Sequence, residues 1–555
     1  MSRGLLPLIC FLLLLLPNCK QKAPSAQLIN DLNLKRGQIV TCGAPDQQFG
    51  SAEFETSCSE KNRKDFNLGI ELLHSFEYDE AEKAFANLID REPSCAMAYW
   101  GIAMANFHPL WTPPTLEELK KGAKAIDIAK SLKASPRESA YIAAIASFYR
   151  DWEKLDHITR TLNFERGMQK VYEDFPGDKE SEIFYALSLV AAADPSDKSY
   201  VKQKKAGDLL NALYPSMPNH PGIVHYLIHT YDYPELAQQA LAVARKYAAV
   251  APSSAHALHM PSHVFTRLGL WDECIQSNLA SVSSARCYAE STGIMGHWDE
   301  ELHGLDYVVY GYLQKGENDS AKKQLDYLNT IKEVHPVNFK VAYAFAAIPA
   351  RYALENKDWE AASSLPMIAA NISWKNFPWQ EAITHFARLL GAVHIKKPSL
   401  ASAALKELNR LHDTLTNRKD AYQANQVAIQ IKAGEAWIRM GEGKMDEAIQ
   451  LMQVAAEMED KTEKHPVTPC EVIPARELLG DLYMELNRPA EALVAYRADL
   501  ETHPNRFNGI YSAAEAAQKS GDRSSARNYF QQLVAIAGDG KPVRRELKEI
   551  EHYLK

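Results

Sequence analysis

Eight of the 18 histidines crowd into one segment: His220, His225, His229, His256, His259, His263, His297 and His303. Neutral imidazole is a ligand for zinc, copper, iron or nickel, and residues four apart on a helix share a face. His225 and His229 have that spacing, and His259 and His263 repeat it. With His303, these four are the candidate metal ligands. Asp299, Glu300 and Glu301 lie near enough in sequence to orient imidazoles or join them. Haem is the other cofactor that histidines hold, although no CxxCH attachment motif is present. Two further readings compete: a polar groove that takes its ligand without metal, and hydrogen-bonded histidines packed between helices. Pro261, between His259 and His263, is expected to push Met260 out of α geometry. HExxH and G-x-S-x-G are both absent, so no catalytic residue is assigned.

Helices must position these side chains. Ala, Leu, Glu and Lys dominate from about Lys61 onward, and capping boxes are legible at Thr115 with Glu118 and at Ser135 with Glu138. Gly69 is followed by Ala81, Phe85 and Pro93; Gly480 is followed at the same offsets by Ala492, Tyr496 and Pro504. This small-aromatic-proline spacing resembles the tetratricopeptide repeat, which implies an all-α solenoid of antiparallel helix pairs with a concave groove. The expected organisation is a signal peptide over 1–18, a tether and N-terminal extension over 19–60, an irregular array with inserted loops over 61–395, and a more regular array over 396–555. In that frame the first helices line the groove, and Tyr226, Tyr307 and Tyr310 are candidate groove-binding residues.

The N-terminus carries Arg3 and then an apolar run from Leu5 to Leu16, shorter than the ~20 residues a membrane helix needs. It ends at Pro17-Asn18-Cys19 and resembles a bacterial lipoprotein signal. The resemblance implies acylation of Cys19 and a place in the envelope, on the periplasmic or outer-membrane side. An exported chain sits where disulfides persist, and Cys58 with Cys95 is the preferred pair among several that the sequence allows. Cys274 and Cys287 are candidate thiols, Cys274 falling on a small packing position. The formal charge of −8 gives no support for nucleic-acid binding.

Leu72 to Tyr78, Ala96 to Gly101, His225 to His229 and above all Ala257-Leu258-His259-Met260-Pro261-Ser262-His263 resemble a family of uncharacterised bacterial exported repeat proteins. That resemblance implies fold and export and supplies no reaction. The leading expectation is a monomeric, envelope-tethered scaffold that holds a protein or peptide partner in its groove without a cofactor. The alternative is a metal- or haem-binding protein or enzyme built on His225 to His303. Solute binding for nutrient uptake is a third.

Overall fold

The computed structural model describes residues 23–43, 48–110, 113–368, 370–538 and 544–554. The signal-like segment and Cys19 lie outside them. Among the described residues no helix is long and apolar enough to cross a membrane.

The chain is an all-α helical-repeat solenoid. Antiparallel helix pairs follow one another from Arg63–His74 with Tyr78–Arg91 to Phe507–Lys519 with Arg523–Ala537, and Arg545–Leu554 packs on the last of them. Glycines let neighbouring helices approach. A Cβ on Gly69 would stand 2.7 Å from the Phe85 ring and one on Gly101 2.5 Å from it, so the two glycines clamp one aromatic ring between two helices. Gly480 does the same for Tyr496, at 2.3 Å. The capping boxes at Thr115 and Ser135 both form, each satisfying two of the backbone N–H groups that a helix start leaves over. One buried core runs from Leu32 to Tyr307, and a second runs from Tyr343 to Ala526 straight through Lys396. The two-residue strands His297–Trp298 and Val334–His335 pair in parallel.

Two segments bear on the site. The first is an extended N-terminal strap that crosses several repeats. Ala52 N–H donates to Glu71 (3.1 Å), Ser51 N–H to the Asn219 carbonyl (3.0 Å), Gln48 N–H to Ser253 Oγ (3.2 Å) and Ser57 Oγ–H to Glu138 (2.7 Å). Two disulfides fasten it, Cys58–Cys95 and Cys42–Cys287. The second pairing joins residues 245 apart, and nothing in their spacing foretold it. It removes Cys287 from the candidate thiols. Cys274 is a buried free thiol whose pKa burial pushes up to about 12.

The second segment lies between the helices Met445–Asp460 and Ala475–Glu485. The Val467 carbonyl accepts from Tyr307 Oη (3.2 Å), and the Cys470 carbonyl accepts from Tyr343 Oη (3.1 Å) and Arg351 Nη2 (2.7 Å). The segment therefore packs against the helices Asp299–Gln314 and Phe339–Glu355. Further along, the fully buried Arg506 joins Glu355 (2.8 Å) to Glu477 (2.9 Å), closing the C-terminal repeats onto the middle of the array.

Candidate metal centre

Pro221 starts the helix Pro221–Thr230 at its first position, where a missing N–H costs nothing. All ten of its residues are buried, so His225 and His229 point into the protein. The next repeat begins with two short helices, Ala255–His259 and Pro261–Leu268. Met260 between them has φ −51° and ψ −36°, which corrects the expectation that Pro261 drives it out of α geometry. Proline is compatible with the first turn of the second helix, and the i,i+4 face of His259 and His263 survives.

Six imidazoles form two groups of three. His225, His229 and His256 each place one ring nitrogen within 4.8 Å of the other two, and so do His259, His263 and His303. In the first triad His225 Nε2 lies 2.9 Å from His229 Nε2 and 3.2 Å from His256 Nε2. In the second, His259 Nε2 lies 3.0 Å from His263 Nε2, and the His303 ring centroid is 4.1 Å from that of His259. The triads adjoin: the His229 and His263 rings are 6.2 Å apart, and those of His256 and His259 are 6.4 Å apart.

The outer ring nitrogens fix the tautomers. His225 Nδ1 donates to the His74 carbonyl at 2.6 Å. His259 Nδ1 meets Asn278 Oδ1 at 2.6 Å, and the Asn278 amide is oriented because its Nδ2 donates to the Cys274 carbonyl (2.7 Å). His263 Nδ1 donates to Asp232 Oδ2 at 2.9 Å. With the proton on Nδ1, each of these rings turns an Nε2 lone pair inward. His259 and His263 thus oppose two lone pairs at 3.0 Å, an arrangement that repels unless a cation or proton lies between them. Two nitrogens ~2.0–2.1 Å from one tetrahedral ion stand about 3.3 Å apart, close to what is seen.

Burial holds all six imidazoles neutral. It pushes His225 down to about 3, and puts His229, His256, His259 and His303 well below the ordinary histidine range, with neighbouring imidazoles adding to the effect. His263 is lowered less simply, because the Asp232 carboxylate opposes burial. Neutral imidazole is the form that binds metal.

The walls are aromatic. Phe76 lies 4.4 Å from the His225 ring and stacks on His229 and His256 at 5.7 Å each. It holds this place from a left-handed backbone conformation (φ 58°), which costs a bulky residue about 1–2 kcal/mol. Tyr307 packs at 4.7 Å from His259 and 5.5 Å from both His263 and His303. The one half-buried ring of the six is that of His256. Lys340 is paired with Asp299 (2.7 Å) and with Glu300, and its charge lowers His256, His259 and His303 further.

Asp232 is the main support behind the second triad. Besides His263 it accepts from Arg267 Nε (2.9 Å), and Lys464 Nζ approaches to 3.4 Å. A third buried cluster backs the first triad: Glu180 lies between His74 Nε2 (3.0 Å) and His220 Nε2 (2.9 Å), and Tyr226 Oη is 2.9 Å from His74 Nδ1. Glu180 already has both carboxylate oxygens bonded, so the cluster reads as a brace for the His74 carbonyl.

The structure thus brings together His225, His229, His259, His263 and His303 and adds His256. The supports His74, Asp232 and Asn278 were not singled out from sequence as parts of a site. The three acidic candidates stand apart from the triads: Glu301 bonds His297 (2.7 Å), while Asp299 and Glu300 serve Lys340. The groove tyrosines require a correction. Tyr226, Tyr307 and Tyr310 are 1%, 0% and 1% exposed and offer no surface to a peptide. Tyr226 is tied to His74, Tyr307 lies under the Val467 segment, and Tyr310 packs on Trp271 (5.2 Å) while accepting from Arg506 (3.2 Å).

No family model and no curated protein matches this chain. Among solved structures it is similar to one titled "Crystal structure of APC/C hetero-tetramer Cut9-Hcn1", with 12% identity over 89% of this chain and 90% of the other, at a TM-score of 0.31. It is also similar to the human IFIT1 dimer with m7Gppp-AAAA, with 13% identity over 87% and 91%, at a TM-score of 0.34. Likeness at this level accompanies the repeat architecture and carries nothing about the site.

Proposed function

We propose that this chain is a transition-metal protein that holds two ions, one in each histidine triad, inside a helical-repeat frame. The observation that carries the reading is the inward convergence of Nε2 atoms whose Nδ1 protons are already committed to His74, Asn278 and Asp232. The support is sharpest in the second triad, where His259 and His263 both commit Nδ1 protons and face each other through Nε2 lone pairs at 3.0 Å. Three protein ligands per ion leave one position of a tetrahedral ion open, the pattern of reactive sites rather than closed structural ones. Haem is the poorer fit, since a porphyrin offers at most two axial positions and three imidazoles converge here. Partner capture in the groove loses its three tyrosines, and a protein partner would have to use another face. Export with acylation at Cys19 stays part of the proposal. The two disulfides agree with an oxidising compartment.

The test is elemental analysis of the full chain, purified without an affinity tag from metal-supplemented culture. About two equivalents of transition metal per chain are expected, falling to about one in His225→Ala and in His259→Ala. A folded chain that neither retains nor takes up zinc or copper would overturn the reading.

A further inference from the structure

All six candidate ligands are imidazoles, which bring no negative charge to a metal, and the charges around them are already answered. Asp232 serves Arg267 and Lys464, while Asp299 and Glu300 serve Lys340. Among the described residues no carboxylate belongs to either triad. Buried carboxylates are what two-metal hydrolytic and di-iron sites use to neutralise and bridge their ions. Without them, a pair of divalent ions would bring four uncompensated positive charges into a buried site, and two monovalent ions only two. An all-imidazole set also prefers copper in the divalent series. The triads adjoin through the His229–His263 and His256–His259 ring pairs at 6.2 and 6.4 Å, so ions held in them would be near neighbours. Phe76 and Tyr307 flank the two triads with aromatic faces, an apolar surround that suits a small uncharged ligand.

Resting on the metal reading above, we propose that the two triads form one coupled dicopper centre that takes up dioxygen between its ions. Two Cu(I) ions each give one electron to the incoming O2, which becomes a bridging peroxide between two Cu(II) ions. No proton is needed, and the site carries a net charge of two before and after, so the buried environment meets no new charge.

The full chain is stripped of metal, loaded anaerobically with two equivalents of Cu(I), and exposed to oxygen in a closed electrode cell. One O2 consumed per two coppers is expected, with an intense near-ultraviolet band that requires oxygen and with no Cu(II) electron-spin signal. His256→Ala, at the half-buried ligand, should keep its circular dichroism, bind one copper, and lose all oxygen uptake. His303→Ala in the other triad should do the same. Two coppers bound with no oxygen uptake, uptake that merely halves in the single variants, or an ordinary Cu(II) spin signal after oxygen would each overturn the coupled pair and leave the metal reading standing. Binding of two zinc ions with rejection of Cu(I) would overturn it too. Failure to bind any transition metal would sink the metal reading itself.

Discussion

Replacing Asp232 by Asn tests whether the second triad is held by the group behind it. Asp232 accepts on two sides, from His263 Nδ1 at 2.9 Å on Oδ2 and from Arg267 Nε at 2.9 Å on Oδ1. An amide of the same shape has one oxygen. If that oxygen serves Arg267, the NH2 group faces His263 Nδ1, expels its proton and drives it to Nε2, where an ion should sit. If the oxygen serves His263, two donors collide at Arg267. Either way one charge-assisted hydrogen bond goes, worth ~1.5–3 kcal/mol. At ~1.4 kcal/mol per tenfold that is roughly a 10–150-fold loss of metal affinity at the triad His259, His263 and His303, in line with the ~10–100-fold cost of losing such supports. The triad His225, His229 and His256 leans on the His74 carbonyl and should keep its affinity. Chelator competition fitted to two sites reads both values, and urea titration of the metal-free chain separates a binding effect from a folding one. Arg267 keeps Glu463 at 3.9 Å, so the metal-free chain should lose less than the ~3–5 kcal/mol of a fully broken buried pair. A folded variant with wild-type affinity at both sites would refute the role given to Asp232.

Gly480→Ala places a Cβ 2.3 Å from the Tyr496 ring and should cost ~1–3 kcal/mol in urea unfolding of the C-terminal repeats; an unchanged midpoint would contradict the clamp described for that pair. A pH dependence follows from His503, bonded to Asp499 (2.9 Å) and Glu471 (3.1 Å). Burial alone would lower its pKa, but the two carboxylates outweigh burial and hold it well above 6.5. Its stabilisation is therefore complete below the unfolded value of 6.5 and is lost as pH rises through the folded one. Glu471 mirrors this: burial would raise it, His503 outweighs burial, and at about 2 its contribution is present above 4.5 and lost as pH falls toward 2. The stability gap between the wild type and His503→Gln should peak between about pH 4.5 and 6.5 and shrink by pH 9 in urea titrations. A gap that stays level across that range would count against it.

The spacing of His225 with His229 and of His259 with His263 was enough to pick those four, because helical periodicity is a local property. His256 escaped for a reason that is not local. It lies three residues before His259 on a five-residue helix, yet the two belong to different triads. Which triad a ring joins is set by how the helices Pro221–Thr230 and Asp299–Gln314 pack on either side. The supports are further still: the His74 carbonyl is 151 residues from His225, and Asp232 is 31 from His263. The repeat spacing gave helices and their pairing. It misplaced the three tyrosines because an ideal array leaves its groove open, whereas here Tyr226 is tied to His74, the Val467 segment lies on Tyr307, and Trp271 and Arg506 close in Tyr310. Pro261 misled because the restriction on the residue before proline is a steric preference and not a prohibition: Met260 takes α geometry here, and the two short helices follow one another almost without a break.

The N-terminal strap has a mechanical consequence. An open array of helix pairs behaves as a spring, because each pair touches only its neighbours and small changes of tilt accumulate along it. Here the strap spans part of that spring as a tie-bar, anchored at Cys95 near one end and at Cys287 on the helix Trp271–Thr292, just before the helix that carries His303. The pitch of the intervening turns is then set by covalent length rather than by the sum of soft interfaces. Five of the six rings lie between the two anchors and so keep their spacing covalently, whereas the turn that carries His303 is held from the C-terminal half, through Val467 on Tyr307.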